Sequence, residues 1–367
     1  MFNLFQGSAQ GVGIEITEQR LQVAQIQKRK QDLKLAALVA AEVPEGYFQD
    51  GKVEDLEGVA NLIGAVLRDN KIKAKRAALA IPSHRTVTRL IKLPAELDDL
   101  ELRENILNEQ VPMLLPFTRD EADIDYQKLG FTRGDDDIQY VEVLLAATRR
   151  DVTDSFIETI QKAGLTPDVL ETSGFALLRT LREQLRQSFT PQEAVAIVDI
   201  GFDSTEISVV VDGVPHFTRD VPIGVQEMQS AVGRAMGIQI PRSPDWIKTM
   251  SLPTEVEGTA LTDVTAPGGA QRGGAALLRV LRDLVDELRR SIDFYLDQAE
   301  SQEVTQIYLA GPGSSLSQVD GFVSNRLGRP TSLVNPLSTL GLQLDQEIPA
   351  EDIPGLGVVL GLALREA

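Results

Sequence analysis

Apolar and polar positions alternate with a two-residue period over three successive stretches near the start of the chain. Val12-Gly13-Ile14-Glu15-Ile16 is a short β-branched run, Leu21-Gln22-Val23-Ala24-Gln25-Ile26 alternates, and Leu33 to Val43 reads as a third strand. The polar turns Thr17-Glu18-Gln19-Arg20 and Lys28-Arg29-Lys30-Gln31 separate them. Because strand side chains point to opposite faces in turn, the pattern predicts a meander with one face buried. The same order returns in the second half. Ala194 to Gly201 is a buried-type strand, Phe202-Asp203-Ser204-Thr205 a turn, Glu206 to Val211 the return strand, and Val214 to Val221 a third. Asp212-Gly213 between the last two is the residue pair of a type I′ hairpin. Two copies of strand, acidic residue, polar turn, strand, strand predict a duplicated fold.

After each meander the period lengthens. Leu56, Val59, Ala60, Ile63 and Leu67 recur at helical spacing within Asp55–Asn70, and Arg76 to Ile81 is a strand ended by Pro82. In the second half Val225 to Met236 reads as a helix, and Leu277, Leu281, Leu284, Leu288, Ile292 and Tyr295 line one face of a long one ending near Gln298. Thr305 to Ala310 is a strand running into Gly311-Pro312-Gly313, with helix again over Ser317–Leu327. An insertion, about Lys92 to Glu171, separates the halves. It holds an acidic helix over Asp98–Gln110, a Pro112…Pro116 break, a strand over Val141–Ala147, and a helix over Val152–Ala163 stopped by Gly164. Thr262 to Gly274, with two Gly-Gly pairs, reads as a loop; it lacks the GK[ST] ending of a P-loop.

Composition narrows the chemistry. With 36 Lys+Arg against 54 Asp+Glu, the net charge of −18 argues against a polyanion-binding protein, so no nucleic-acid partner is expected. The chain has no cysteine, which removes thiolate metal sites and Cys nucleophiles. His84 and His216 are the only histidines, and no G-x-S-x-G elbow accompanies them. His84, at a strand end, reads as a solvated loop residue. The chain opens without a signal-peptide pattern, and its longest uncharged apolar run, Ile353 to Leu364, is too short to span a bilayer. The expectation is a soluble, cytoplasmic protein that could still dock on a membrane complex through a partner.

Asp199-Ile200-Gly201-Phe202-Asp203-Ser204-Thr205 is the best candidate site. It opens a strand, unlike a Rossmann or P-loop turn, yet backbone N–H groups and the Ser204 and Thr205 hydroxyls of a hairpin can converge on phosphate oxygens. Asp199 would hold magnesium, largely through water. Gly311-Pro312-Gly313-Ser314, between strand and helix, is a second place for backbone to meet a ligand. Glu287, Arg290 and Ser291 share one helix face. Gly355-Leu356-Gly357…Gly361 looks dinucleotide-like, but too little chain follows for a βαβ unit, and close helix packing is the better account.

These motifs resemble the actin-like ATPase superfamily, and within it the PilM-type assembly proteins of type IV pili, relatives of the division protein FtsA. Asp199-Ile200-Gly201…Thr205 is similar to the second phosphate motif, and Ile307 to Gly313 to the adenosine motif, with Pro312 where glycine is frequent. Glu287 to Tyr295 resembles the PilM form of the nucleotide-side helix, and Asp245-Trp246-Ile247-Lys248 the acid-x-x-Lys element near the ribose. Ala80-Ile81-Pro82, Val111-Pro112…Pro116-Phe117 and Ala163-Gly164-Leu165 with Glu171 also match. The resemblance implies an α/β duplicated actin-like (ribonuclease H-like) fold with an inserted small α/β subdomain. The expected halves are 8–87 plus 172–190, and 191–367 with a helical subdomain at about 222–300; the insertion is 88–171. The implied nucleotide residues are Thr17, Asp199, Gly201, Asp203, Ser204, Thr205, Gly224, Asp245, Lys248, Glu287, Arg290 and Gly311 to Ser314 (Gly311, Pro312, Gly313, Ser314), with Glu15 and Asp199 for magnesium and ATP as the cofactor.

One motif departs. Where the family's first phosphate loop reads roughly G-[LI]-D-I-G-[ST]-x-x-[VI]-K, this chain has Glu15 for Asp, Thr17 for Gly, Glu18 for the hydroxyl and Gln22 for Lys. Glu18 would repel a γ-phosphate, so hydrolysis is expected to be slow or absent. The resemblance further implies a scaffold of the pilus inner-membrane platform, serving twitching motility and natural transformation. It would bind the N-terminal cytoplasmic tail of a PilN-type membrane protein, other platform proteins, and its own copies. An FtsA-like division protein and a small-molecule kinase are the alternatives. For the tail, Leu100, Ile106, Val111, Met113, Leu114, Leu115 and Phe117 are candidate anchors amid Asp98, Glu101, Glu109, Glu121 and Asp123, an acidic rim for a basic tail. The same apolar residues would equally serve as the core of the insertion.

Overall fold

The computed structural model describes residues 11–29, 32–134, 137–188, 193–240, 245–252, 269–298, 301–345 and 347–367. The first meander is β1 (Val12–Ile16), β2 (Arg20–Arg29) and β3 (Asp32–Glu42). A short hairpin, β4 (Phe48–Gln49) and β5 (Lys52–Val53), leads to α1 (Leu56–Asp69) and β6 (Arg76–Ile81). Helix α1 begins where the Asp55 carboxylate accepts the Gly58 N–H at 2.8 Å, and it buries the apolar stripe Val59, Ile63 and Val66.

A separate sheet follows: β7 (Thr86–Pro94), then α2 (Asp99–Asn105) and α3 (Val111–Leu114), then β8 (Ala122–Arg133) and β9 (Gln139–Arg149), in the order β7-β9-β8. Asp98 and Glu101 form a reciprocal cap on α2, and a π-turn over Ile106–Gln110 carries the helix into α3. Pro112 lies in the first turn of α3, where it does no harm; the chain leaves the helix at Leu115. Then α4 (Arg150–Lys162), β10 (Thr166–Thr172) and α5 (Ser173–Ser188) return to the first sheet.

The second meander is β11 (Glu193–Ile200), β12 (Thr205–Val211) and β13 (Val214–Val221), followed by α6 (Val225–Met236), α7 (Gly269–Leu296), β14 (Glu303–Ala310), α8 (Val319–Leu327), β15 (Thr331–Leu333), α9 (Pro336–Thr339) and α10 (Gly357–Arg365). Asp212 and Gly213 both have positive φ, +50° and +80°, as a type I′ turn requires. Of the expected Gly-rich loop, Thr262–Gly268 lies outside the described residues, and Gly269–Gly274 is the first part of α7. Gly273 faces α6 closely, where an added Cβ would meet Met236 Sδ at 2.9 Å.

The two large sheets have one topology. Their orders are β3-β2-β1-β6-β10 and β13-β12-β11-β14-β15, each with an antiparallel meander joined to two parallel strands. Glu15 pairs across with Gln22 in the first, and Asp199 with Glu206 in the second, so these positions are equivalent. Between the sheets lie α5 and α10. Leu177 and Leu181 of α5, with Val358 and Leu362 of α10, form one core with Ala78 and Ala80 of β6 and Val195 and Ile197 of β11. The helices meet closely because Gly357 and Gly361 leave room: a Cβ at Gly361 would overlap the carbonyl of Ala176. Helix packing thus accounts for Gly357 and Gly361, while Gly355 lies beside Pro312 and, with Gly357, lines the cleft between the sheets.

Candidate functional site

The ends of β1 and β11 face each other across a cleft between the sheets. A cavity of about 90 Å³ lies there, walled by Glu15, Thr17, Arg20 and Gln22 from the first half and by Asp199, Gly201, Phe202, Lys248, Gly311, Pro312 and Asp352 from the second. A neighbouring chamber of about 80 Å³ adds Asp203 and Ser204 with Ser83, His84 and Glu206. Nine expected ligands, Glu15, Thr17, Asp199, Gly201, Asp203, Ser204, Lys248, Gly311 and Pro312, therefore lie on these two walls. Gly311 has φ +81°, and any side chain there would strike Asp199, so the chain turns tightly against the carboxylate. Asp245 sits beside the cavity and is bonded to Lys248 at 2.7 Å.

Other expected ligands are elsewhere or are used internally. The Thr205 hydroxyl donates to the Ile223 carbonyl at 2.6 Å and is 0% exposed, so it ties two segments together instead of facing the cleft. Ser314 is 1% exposed and donates to the Ala310 carbonyl at 2.6 Å, and Gly313 is buried against Ile200. Gly224 serves close packing: its backbone lies on the Phe202 carbonyl, while the next N–H groups, Val225 and Gln226, donate to Gly201 and Phe202. The first-turn donors of α6 are thereby taken by the phosphate-type turn. Glu287 pairs with Arg290 and, at 2.9 Å, with Arg219; neither Glu287 nor Arg290 lines either chamber.

The first turn also differs from its reading as a repulsive loop. Glu18 accepts the Asp50 N–H at 2.9 Å and lines the outer cleft, not the inner cavity. Thr17 closes its own turn, its N–H and hydroxyl both donating to the Arg20 carbonyl at 2.9 and 3.1 Å. His84 is no solvated loop residue: it stands between Asp50, 3.8 Å away, and the Ser204 hydroxyl at 3.4 Å, and burial then Arg85 lower its pKa.

Sequence reasoning missed an acidic row. Asp199, Glu206 and Asp220 occupy adjacent positions across β11, β12 and β13, and Ser83 of the first half donates to Asp220 at 2.5 Å. Burial, then the charge on Asp220, raises Asp199 to about 6. Burial raises Asp220 to about 6 against the Ser83 hydrogen bond, and burial then Asp220 drives Glu206 well above the usual range. Across the cleft, burial and then Asp199 raise Glu15 to about 8. Glu15 Oε2 and Glu206 Oε2 are buried without a hydrogen-bond partner. The cross-strand register was the signal available for this row, since three neighbouring strands each carry an acid near the turn. Such uncompensated carboxylates invite a cation.

The expected tail anchors divide. Ile106, Val111 and Leu115 are buried with Leu102, Val143 and Leu145 in the core of the small sheet, because the face of α2 and α3 they occupy packs on that sheet; they are not surface anchors. Leu114 and Phe117 pack at the edge of that core, while Leu100 and Met113 are 64% and 71% exposed. The groove between the small sheet and the first half is different in character. It holds about 780 Å³ and runs among Leu129 and Leu144, Phe175, Leu178 and Leu185 of α5, and the start of β13 at Val214-Pro215. Its charged rim carries Arg179, Arg182, Arg186 and Arg365 with Glu171 and Asp212, and Glu171 holds Arg179 at 2.6 Å and Arg365 at 3.7 Å.

A family model described as type IV pilus assembly protein PilM matches residues 13–367. The chain belongs to the PilM family. Its fold is that of the actin-like ATPases. A solved PilM-PilN type IV pilus biogenesis complex superposes with TM-score 0.77 at 23% identity, over 97% of this chain and 98% of that one. The ethanolamine utilization protein EutJ from Carboxydothermus hydrogenoformans gives 0.54 at 14% identity over 99% and 91%. MreB 5 of Spiroplasma citri, bound to AMPPNP, gives 0.52 at 12% identity over 98% and 96%. Among the described residues no helix is long and apolar enough to cross a membrane.

Proposed function

We propose that this PilM-family chain is an actin-like scaffold of the type IV pilus inner-membrane platform. It holds the N-terminal cytoplasmic tail of a PilN-type membrane protein in the groove between α5 and the small sheet. The observation that carries this reading is that groove: an apolar floor with an arginine rim, of the size of a peptide site, on a family member whose fold matches a PilM-PilN complex. Family membership favours this over the FtsA-like and small-molecule kinase readings. Apolar anchors from the tail would supply affinity, and the arginines would set register and rate.

The test is calorimetry with a peptide of the first dozen residues of the cognate partner. Phe175→Glu and Leu178→Glu should each abolish binding, and Met113→Glu, outside the groove, should not. Binding that survives the groove variants and is lost with Met113→Glu moves the tail to the α2–α3 surface and defeats this placement.

The cleft is the proposed nucleotide site, with slow or no turnover. Gly201, Ser204 and Gly311 would meet phosphate, and Lys248 the ribose side. Glu15 and Asp199 would hold magnesium, which ordinarily uses one or two carboxylates and keeps several waters. The buried, unpartnered Glu15 oxygen fits that ion, although among the described residues no cluster of three or more His, Asp or Glu side chains is arranged to chelate a metal. When bound, magnesium would neutralise phosphate charge. The chain's own part is to orient the carboxylates and exclude water.

A further inference from the structure

The inner cavity, about 90 Å³, is below the ~300–1,000 Å³ of ligand pockets, and it adjoins an outer cleft of about 1280 Å³ at Gln19 and Phe202. A chain of ion pairs spans the inner part. Arg20 of β2 donates to Asp245 of the second half at 2.8 Å, and Asp245 is bonded in turn to Lys248, which also pairs with Asp352. This chain of charges crosses from one half to the other at the cavity wall. Arg20 and Lys248 are the cations lining the cavity among the described residues. Arg20 lies two residues before Gln22 on the same strand, so both side chains point to the same side, and both line the cavity. A cation missing at Gln22 is thus present one pleat away.

We infer that Arg20 is this chain's phosphate-binding cation, held in reserve by Asp245, so that phosphate capture of Arg20 and the parting of the two halves are one event. The inference rests on the nucleotide reading above and assigns a residue that reading lacks. A polyphosphate has several anionic oxygens in the geometry a guanidinium fork matches, so it competes well with one half-exposed carboxylate. The pair is both a latch on the empty cleft and a ligand for the filled one.

The experiment measures two quantities on the full chain. Mg-ATP and Mg-ADP affinities are read by calorimetry. The separation of the halves without nucleotide is read by electron–electron distance measurement between spin labels at Asn61→Cys on α1 and Asp283→Cys on α7, both exposed and in a chain with no native cysteine. Arg20→Gln should lengthen or broaden the label distance and weaken nucleotide binding ~10-fold or more, the loss of a charge-assisted hydrogen bond. Asp245→Asn should also lengthen the distance but tighten binding ~3- to 10-fold, or reveal binding that the wild type lacks. A purely structural role would move both affinities the same way. Unchanged affinity in Arg20→Gln, with wild-type binding intact, overturns the assignment and leaves the nucleotide site standing. No binding by either wild type or Asp245→Asn overturns the nucleotide reading and this inference with it. An unchanged label distance in both variants removes the latch.

Discussion

The turn after β1 and the turn after β11 occupy equivalent places in two copies of one fold, yet they are built differently. The second turn is made by backbone: Gly201 donates to the Ser204 carbonyl at 2.9 Å, and α6 is fastened to the turn by the Val225 and Gln226 N–H groups. The first makes the same backbone bond, from the Thr17 N–H to the Arg20 carbonyl at 2.9 Å, but adds side chains to it: the Thr17 hydroxyl is bonded to Arg20, and the Glu18 carboxylate accepts the Asp50 N–H. The second turn leaves Asp203 and Ser204 on the wall of the chamber, whereas the first engages Thr17 and Glu18 in hydrogen bonds of their own and leaves the Arg20 side chain to face the cavity. Duplication preserved the strands and let the chemistry of the two turns separate.

The largest effect should come from the second turn. Gly224→Ala places a methyl on the Phe202 carbonyl, where only backbone movement can relieve the overlap. Denaturant melts should show a loss of roughly 3 kcal/mol. A loss within error would mean that α6 can slide from the turn, and that the two turns are less different than described.

Next in size is a dependence on pH that links the turns through Glu15 and the acidic row. A carboxyl raised to about 8 keeps its proton in the folded state while the unfolded chain has released it. The folded state then binds more protons, so stability falls as pH rises from near 4.5 to about 8 and is level above that. The slope is at most about 1.4 kcal/mol per pH unit for one proton. Thermal melts between pH 6.5 and 8 should show this fall, Glu15→Gln should flatten it, and Glu15→Gln with Glu206→Gln should flatten it further. Asp199 and Asp220, both near 6, act below that window. Stability rising from pH 6.5 to 8 in the wild type would contradict the burial of these carboxyls.

Smaller again are the hydroxyls. Thr205→Val strands the Ile223 carbonyl and Thr17→Ala removes the hydroxyl's bonds to the Arg20 carbonyl and N–H; each should cost about 1–2 kcal/mol. The fully buried Thr205 should be the costlier of the two, and the reverse order would relocate the more strained turn to the first half. Smallest is Glu18→Ser, which removes one exposed hydrogen bond to Asp50 and should change nucleotide affinity less than 2-fold. A marked tightening would restore the repulsion reading of that side chain.

Much of the cleft was legible because it lies at strand ends, where period and turn chemistry both speak. Glu15, Asp199 and Gly311 could be placed from the two meanders and the strand running into Gly311. The hydroxyls of Thr205 and Ser314 could not be judged, since a hydroxyl bonded to its own backbone and one facing a ligand look alike in sequence. The same holds for Ile106 and Met113: both are apolar in one helical segment, and only packing on the small sheet buries the first and exposes the second. Gly269–Gly274 looked like a loop because glycine disfavours helix, but contact with α6 outweighs a cost of about 1 kcal/mol per residue.

By itself the sequence determined the duplicated α/β meander, the insertion between the halves, and the positions of the two acids at the cleft, because strand and helix periods are local properties of neighbouring residues. Tertiary structure alone decided which polar groups are spent internally, which side of the insertion is core, and that Arg20 meets Asp245 across 225 positions of chain. Those outcomes depend on how two sheets and the helices between them pack, and no local pattern encodes the distance between residues that folding brings together.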